Sequence, residues 1–264
     1  MTLIAILVGT LLAGIGSVWV AAALSFGALA RYTQHMLSMA AGALLATAFL
    51  HLLPEAFESE AGAHDLFLTL LLGVLFFFLL DKAELWHHGH EHHHGPDGAH
   101  DHDHDHHDHG HHHGVPGAWS VLTGDSVHCF GDGVLIASAF MADLRLGALA
   151  ALAVLAHEVP HHMGDLAVLR TGASNRRMAL VKVSLAGAVT ALGGVAGFWL
   201  LERLQDYLPY FLAVASSSFI YVALADLIPQ LQKRLTTRQT AAQLAWLAVG
   251  IAMVSLVSGL GHGH

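Results

Sequence analysis

One apolar stretch of this sequence is unusually dense in side chains that can bind a metal ion. The run HEVPHHMGD holds three histidines and two acids, namely His157, Glu158, His161, His162 and Asp165. Ionisable side chains are costly at bilayer depth unless they face one another, water or a bound ion. Five such groups in nine residues cannot all face lipid. The run therefore predicts a buried polar or metal-binding site.

A second set of candidate ligands stands in the preceding apolar stretch, in the run HCFGDG, and comprises His128, Cys129 and Asp132. Residues four apart share a face of a helix, so His128 and Asp132 should project together. Imidazole, carboxylate and thiolate groups form a ligand set for a divalent transition metal. We expect all eight ligand-type residues to form a metal site between two helices, rather than only a buried hydrogen-bond network.

The same residues also contain a motif found in one class of enzymes. The segment from His157 to His161 reads HExxH, the helix motif of zinc proteases, in which the glutamate activates a zinc-bound water. Pro160 disturbs the helical turn that would aim both histidines at one ion. The neighbouring stretch also supplies more ligands than an open catalytic site needs. We therefore expect no enzymatic activity and keep an intramembrane metalloprotease as the alternative.

The composition is that of an integral membrane protein. Of the 264 residues, 55% are hydrophobic and 12% charged, and the mean hydropathy is +0.56; soluble domains carry about 25% charged residues. The formal charge of −9 argues against a nucleic-acid partner. A membrane helix needs ~20 apolar residues, and eight runs qualify. They predict an all-α membrane protein with eight transmembrane helices in one polytopic domain, residues 1–264. The runs are residues 2–30, 35–54, 66–86, 118–141, 146–169, 178–201, 208–231 and 241–260.

The third loop, residues 87–117, is a His-rich segment. It holds 15 of the 24 histidines, alternating with aspartates. Because it has almost nothing to bury, we expect it to be disordered without metal and to bind metal. The positive-inside rule places this loop in the cytoplasm and both termini outside, in the plasma or inner membrane. Nine basic residues fall on the cytoplasmic side in that topology and two, Arg145 and Arg203, on the other; the nine are Arg31, Lys82, Arg170, Arg176, Arg177, Lys182, Lys233, Arg234 and Arg238.

Three further polar residues are candidates for the ion pathway. His51 and Glu55 flank a proline in HLLPE, near the end of the second run, and Asp226 precedes a proline in DLIPQ, near the end of the seventh. Weak internal repeats of this kind, with broken helices at matching places, are typical of transporters. We expect the three residues to line a vestibule; helix-end capping and packing are the alternative for His51 and Glu55.

Four segments resemble the Zrt/Irt-like (ZIP) metal transporters, and the likeness spans almost the whole chain. HCFGDGVLIASAF and HEVPHHMGDLAVL resemble the fourth and fifth helices of the branch with the HExPHExGD motif, and HLLPEAF and FIYVALADLIPQL resemble its second and seventh helices. The resemblance implies eight helices in a 3+2+3 arrangement, with helices four and five central and forming the metal site. It also implies import of a divalent ion, usually zinc, into the cytoplasm, and a possible homodimer.

The resemblance also implies how the ligands are shared between two subsites. One would use His128, Asp132, His157 and His161, and the other Cys129, Glu158 and His161. The family usually has asparagine at Cys129, and this branch has glutamate at His162 and Gln230. The sequence has no GxxxxGK[ST] motif for ATP, so we expect secondary or facilitated transport with the metal as substrate and no cofactor. A metal efflux protein and a membrane metal sensor remain alternatives.

Overall fold

In a computed structural model of the chain, the described residues are 1–25, 33–89, 117–172, 176–231 and 236–259. Within these ranges the chain forms eight helices and no strand, which confirms the predicted all-α fold. Residues 90–116, most of the predicted His-rich loop, lie outside the described residues. The helices are α1 (residues 2–25), α2 (residues 33–57), α3 (Ala63–Gly89), α4 (Gly117–Ala142), α5 (Leu144–Gly172), α6 (Arg176–Arg203), α7 (residues 208–231) and α8 (Thr237–Gly259).

Six of these helices, judged on their described residues, are long and apolar enough to cross a membrane: α1, α2, α3, α6, α7 and α8. The other two are the helices that carry the candidate ligands. At 26 and 29 residues, α4 and α5 have the length of a membrane span. Their charged side chains lower the hydropathy, yet most of them are buried against other helices rather than exposed to lipid. The chain is a multi-pass membrane protein.

The helices pack in two groups. In the first group, α4 packs along α6, α1 packs along α6, and α5 packs against both α4 and α1. In the second group, α2 packs along α8, α3 packs along α7, and α2 contacts α7. The groups meet mainly where α2 lies on α5 and α7 lies on α4. Helices α4 and α5 therefore contact helices from both the first three and the last three, as the 3+2+3 arrangement requires.

The contact between α4 and α6 depends on close approach of the two backbones. A Cβ atom added to Gly133 of α4 would collide with the carbonyl oxygen of Thr190 on α6. A Cβ atom added to Gly193 of α6 would likewise collide with the carbonyl oxygen of Phe130 on α4. Small residues allow this approach between membrane helices, where dispersion contacts replace the hydrophobic effect. The glycines thus fix the position of the ligand-bearing helix α4.

Helices α2 and α7 share a local irregularity. Each contains a π-helical segment, Ala48–Leu52 in α2 and Val222–Leu227 in α7, followed by a short α-helical end that carries a proline. The wider π turn gives room where proline would press on the carbonyl four residues earlier. The weak internal repeat that HLLPE and DLIPQ form in the sequence therefore corresponds to the same irregularity in two helices.

Candidate metal centre

Helix α4 presents four candidate ligands on one side. The four residues stand at intervals of three, one and three positions along the chain, so they project from the same face of the helix. They are Asp125, His128, Cys129 and Asp132. Asp125, Cys129 and Asp132 are buried, and the side chain of His128 is 30% exposed. This face lies against α5, which supplies the five ligand-type residues of the run HEVPHHMGD. The ligand atoms of the two helices fall into three groups.

The first group, the His128 cluster, consists of His128, Asp132, His157 and Glu158. His157 Nε2 lies 3.3 Å from Asp132 Oδ2 and 3.2 Å from Glu158 Oε1. His128 Nε2 lies 3.3 Å from the same Glu158 oxygen and 3.5 Å from His157 Nε2. Ligand atoms at ~2.0 Å from a tetrahedral zinc ion are roughly 3.3 Å from one another. The four atoms are therefore spaced closely enough to bind one ion.

The second group, the Cys129 cluster, consists of Asp125, Cys129, Glu158 and His162. His162 Nε2 lies 3.1 Å from Glu158 Oε2 and 3.7 Å from Asp125 Oδ1. The Cys129 thiol points at the same two carboxylates, with Sγ 3.6 Å from Asp125 Oδ1 and 3.8 Å from Glu158 Oε2. All four residues are buried. One thiol, one imidazole and two carboxylates make a softer ligand set than that of the first group.

Glu158 joins these two groups. Its side chain is 1% exposed. Its Oε1 atom faces His128 and His157, whereas its Oε2 atom faces His162 and Cys129. A carboxylate that directs one oxygen into each of two neighbouring ligand groups can bridge two metal ions. The two groups are spaced so that each could hold one ion, with Glu158 lying between them.

The third group, the His161 cluster, consists of Asp125, His161 and Asp165. His161 Nε2 lies 3.6 Å from Asp125 Oδ1 and 3.7 Å from Asp165 Oδ2. Like the His128 cluster and unlike the fully buried Cys129 cluster, this group is partly open, because the side chain of His161 is 39% exposed. The resemblance implies that His161 shares an ion with His128 and His157. In the structure the His161 ring lies beside the His128 ring, with centroids 5.6 Å apart, but its Nε2 atom faces Asp125 and Asp165.

Several buried ligand atoms make no hydrogen bond of good geometry among the described residues, although an imidazole or carboxylate of the same group lies 3.1–3.7 Å from most of them. A buried polar atom without a partner costs about 1–3 kcal/mol, and more if it is charged. Each of these atoms belongs to one of the three groups, so cations at the centres of the groups would stabilise all of them. The residues therefore fit a divalent metal ion. The atoms are Asp125 Oδ2, Asp132 Oδ2, Glu158 Oε1, His162 Nε2 and Asp165 Oδ2.

The charge of the site also fits bound divalent cations. The three groups together contain four carboxylates, of Asp125, Asp132, Glu158 and Asp165, and four imidazoles. No Lys or Arg forms an ion pair with these carboxylates among the described residues. Buried charges need compensation. With neutral imidazoles, four negative charges would be balanced by two divalent cations.

Two of the imidazole rings are oriented by atoms outside the ligand groups. His157 Nδ1 lies 3.3 Å from the carbonyl oxygen of Ala153, to which an N–H at Nδ1 donates. His162 Nδ1 lies 2.9 Å from the Ser17 hydroxyl on α1, which itself donates to the Gly14 carbonyl at 2.6 Å. The hydroxyl therefore accepts from Nδ1–H of His162. In both residues Nε2 is then left as the lone-pair ligand atom, as metal-binding histidines require.

Two residues of the site in the structure, Asp125 and Ser17, are absent from the sequence-based prediction. Asp125 could have been found, because it stands three residues before His128 and four before Cys129, on the face that the prediction assigned to ligands. Ser17 could not have been found, because 145 positions separate it from His162. Nothing in the spacing of the sequence links the two residues.

Two of the three predicted vestibule residues, His51 and Glu55, lie outside the three ligand groups. His51 lies in the π segment of α2 and is partly buried, and Glu55 near the end of the same helix is exposed. Neither belongs to a metal-binding group formed by the described residues. The backbone of Asp226 lies in the π segment of α7, but its side chain lies outside the described residues. The pathway role of all three stays a prediction.

Comparison with known proteins gives one family for the chain. The family model described as the ZIP zinc transporter matches residues 1–258. The zinc transporter ZIP13 of Pongo abelii is 29% identical, in an alignment that covers 97% of this chain and 79% of that protein. The whole membrane-spanning chain, including both ligand-bearing helices, is therefore similar to a zinc transporter.

Other relatives are similar over a shorter stretch. The human zinc transporter ZIP10 is 33% identical over 57% of this chain and 18% of its own length. The Drosophila melanogaster zinc transporter foi is 31% identical over 53% of this chain and 20% of its own length. The chain thus spans only about a fifth of these two longer relatives.

Proposed function

This chain belongs to the ZIP zinc transporter family, and from that premise we propose that it carries Zn²⁺ across the membrane into the cytoplasm. The observation that carries the proposal is the pair of ligand groups joined by Glu158. Several of their buried ligand atoms make no well-aligned hydrogen bond among the described residues, and a divalent cation bound between them would stabilise them. The metal is the transported substrate.

The ligand chemistry supports zinc as the substrate class. Zinc binds imidazole nitrogen, thiolate sulfur and carboxylate oxygen, usually four at a time. The His128 cluster offers two imidazoles and two carboxylates, and the Cys129 cluster replaces one imidazole with a thiol. Mg²⁺ and Ca²⁺ prefer sites built from oxygen ligands alone. We infer a site selective for zinc and similar transition metals.

The protein is a transporter and not an enzyme, as its family indicates. The positions of the HExxH histidines are consistent with this. His157 belongs to the His128 cluster and His161 to the His161 cluster, and no group formed by the described residues contains both. A zinc protease needs both histidines on one ion. The predicted absence of enzymatic activity is confirmed by the family.

The helix packing suggests how the ion could move. All ligand residues lie on α4 and α5, and Ser17, which orients His162, lies on α1. These helices pack with α6 as one group, whereas α2, α3, α7 and α8 form the other. We infer that the first group moves as a unit past the second and exposes the site alternately to the two sides. The ligand set would then stay intact during the motion.

The direction and the orientation are proposed from the distribution of basic residues. Nine Lys and Arg residues against two place both termini outside and the His-rich loop in the cytoplasm. A cysteine introduced at Gly98, in a variant lacking Cys129, should react with a membrane-impermeant reagent only in lysed cells. Labelling in intact cells would reverse the proposed orientation. The homodimer stays a prediction.

Uptake of ⁶⁵Zn²⁺ into proteoliposomes tests the proposed function. The wild type should accumulate zinc down an imposed gradient, and Asp132→Asn should slow uptake at least ~10-fold, the scale of losing one ligand or its partner. Asp65→Asn is the matched control, because Asp65 also lies beside a histidine, His64, at 3.5 Å but is exposed. Wild-type vesicles that take up no more zinc than empty ones, whichever way the gradient points, would refute the proposal.

A further inference from the structure

The His161 cluster shares Asp125 with the Cys129 cluster but does not include Glu158. Asp165 is only 8% exposed, and its Oδ2 atom, 3.7 Å from His161 Nε2, has no hydrogen-bond partner among the described residues. Asp125, which completes the group, is 4% exposed. We propose that the His161 cluster is a third divalent-cation site, through which the ion passes between the Cys129 cluster and the cytoplasm. The inference rests on the proposed function.

The three groups follow one another along the helix axes. On α5, His157, His161 and Asp165 are each four residues apart, so the ligands extend over about 12 Å at 1.5 Å per residue. On α4, Asp132, His128 and Asp125 run in the same direction, since the two helices are antiparallel neighbours. The His161 cluster is nearest the end of α4 that follows the His-rich loop. In the proposed topology that end faces the cytoplasm.

Asp125 is the element that links the third site to the second. Its Oδ1 atom lies 3.6 Å from Cys129 Sγ and 3.6 Å from His161 Nε2, and 3.7 Å from His162 Nε2. One oxygen atom therefore faces two ligand groups, whereas Glu158 offers a separate oxygen to each of its groups. An ion in either group would use this oxygen, so the two positions compete for one ligand atom. Such competition favours transfer of an ion from one position to the other.

The exposure of the ligands rises from the Cys129 cluster toward the His161 cluster. The side chains of Glu158 and His162 are 1% and 0% exposed, whereas that of His161 is 39% exposed. The third site also has three protein ligands instead of four, which leaves a position for water. An ion there is held more weakly and is already partly hydrated. Both properties suit a position from which an ion is released.

Histidine footprinting on the purified full-length protein tests the site without relying on transport. Diethyl pyrocarbonate modifies exposed imidazoles, and mass spectrometry locates the modified residue. Zn²⁺ should slow modification of His161 in the wild type and in Asp132→Asn, but not in Asp165→Asn, with a difference of at least ~10-fold, the scale of losing a ligand. His64, whose side chain is 90% exposed beside Asp65, is the internal reference for ordinary weak zinc binding. His162 should stay unmodified throughout because it is buried.

A second arm measures transport. Asp165→Asn should lower the maximal rate of ⁶⁵Zn²⁺ uptake about tenfold while leaving tight zinc binding by the buried groups unchanged. Asp165→His keeps a ligand atom at this position and should restore His161 protection. If zinc protects His161 no better than His64 in the wild type, or equally well in Asp165→Asn, then the third site does not exist. Such a result alongside normal wild-type uptake would leave the proposed function intact, whereas absent wild-type uptake would refute that function itself.

Discussion

The hydroxyl group of Ser17 on α1 lies 2.9 Å from Nδ1 of His162 on α5, and both side chains are fully buried. Ser17 donates its own proton to the Gly14 carbonyl, so it can only accept from the imidazole. This hydrogen bond leaves His162 Nε2 free of a proton and directed at the Cys129 cluster. The bond thus connects a helix without ligands to the metal site.

Replacing Ser17 by alanine should therefore weaken the metal site without removing any ligand. We expect Ser17→Ala to lower zinc affinity about tenfold, the lower end of the range for outer-shell partners of metal-binding histidines. The measurement is competition of the purified protein against a zinc-binding dye. Ser138→Ala is the matched control, because Ser138 on α4 is equally buried and also donates to the carbonyl three residues earlier, Leu135, at 2.7 Å. Equal zinc affinities for the two variants would contradict the positioning role.

Two glycines of α4 that stand two positions apart should respond oppositely to alanine. A Cβ atom at Gly133 would collide with the Thr190 carbonyl, whereas one at Gly131 would meet nothing within 4 Å. Gly133→Ala should force α4 away from α6 and destabilise the protein by about 1–3 kcal/mol. Gly131→Ala should be neutral or slightly stabilising, because alanine is the better helix former. Thermal unfolding of the purified variants, followed by loss of the monodisperse peak in size-exclusion chromatography, compares them; equal midpoints would show that the close approach is not needed.

Much of the site follows from helix geometry alone. His128 and Asp132 are four residues apart on a predicted helix, and the structure brings them together as that spacing requires. The number of helices and the choice of α4 and α5 as the ligand-bearing pair also follow from hydropathy and residue type. The same spacing rule extends to Asp125, which the sequence-based prediction left out.

The grouping of the ligands could not be read from spacing. His157 and His161 are one turn apart on the same face of α5, so both could point at a single ion. Which ion each one serves depends on the residues that α4 places opposite. Asp132 faces His157 and Asp125 faces His161, at 3.3 Å and 3.6 Å. This depends on how far α4 is shifted along α5, which is a tertiary property.

Cys129 stands where the resemblance leads us to expect asparagine, and its substitution should change metal preference. Its Sγ atom lies between two carboxylates in the Cys129 cluster and is fully buried. A thiolate favours soft ions, whereas an amide oxygen is a harder ligand. Cys129→Asn should therefore weaken Cd²⁺ and Zn²⁺ uptake more than Mn²⁺ uptake, and lower the Cd²⁺ to Mn²⁺ ratio about tenfold.

Alkylation provides the control for Cys129. Saturating Zn²⁺ should slow the reaction of Cys129 with a small membrane-permeant reagent, because a metal-bound sulfur is less nucleophilic and less accessible. Cys129 is the only cysteine of the chain, so the measurement needs no further substitution. If the metal profile of Cys129→Asn equals that of the wild type and zinc leaves alkylation unchanged, then Cys129 is a packing residue.

Glu158 is proposed to bridge two transported ions. Counting the zinc bound after substitution of Glu158 tests this bridge most directly. In equilibrium dialysis at a free Zn²⁺ concentration just sufficient to saturate the wild type, Asp65→Asn should bind as much zinc as the wild type, including any ions held by the His-rich loop, and Asp132→Asn should bind one ion fewer. Glu158→Gln should bind nearly two ions fewer than the wild type, because its carboxylate contributes an oxygen to both groups. A Glu158→Gln protein that binds as much zinc as Asp132→Asn would contradict the bridged two-ion centre.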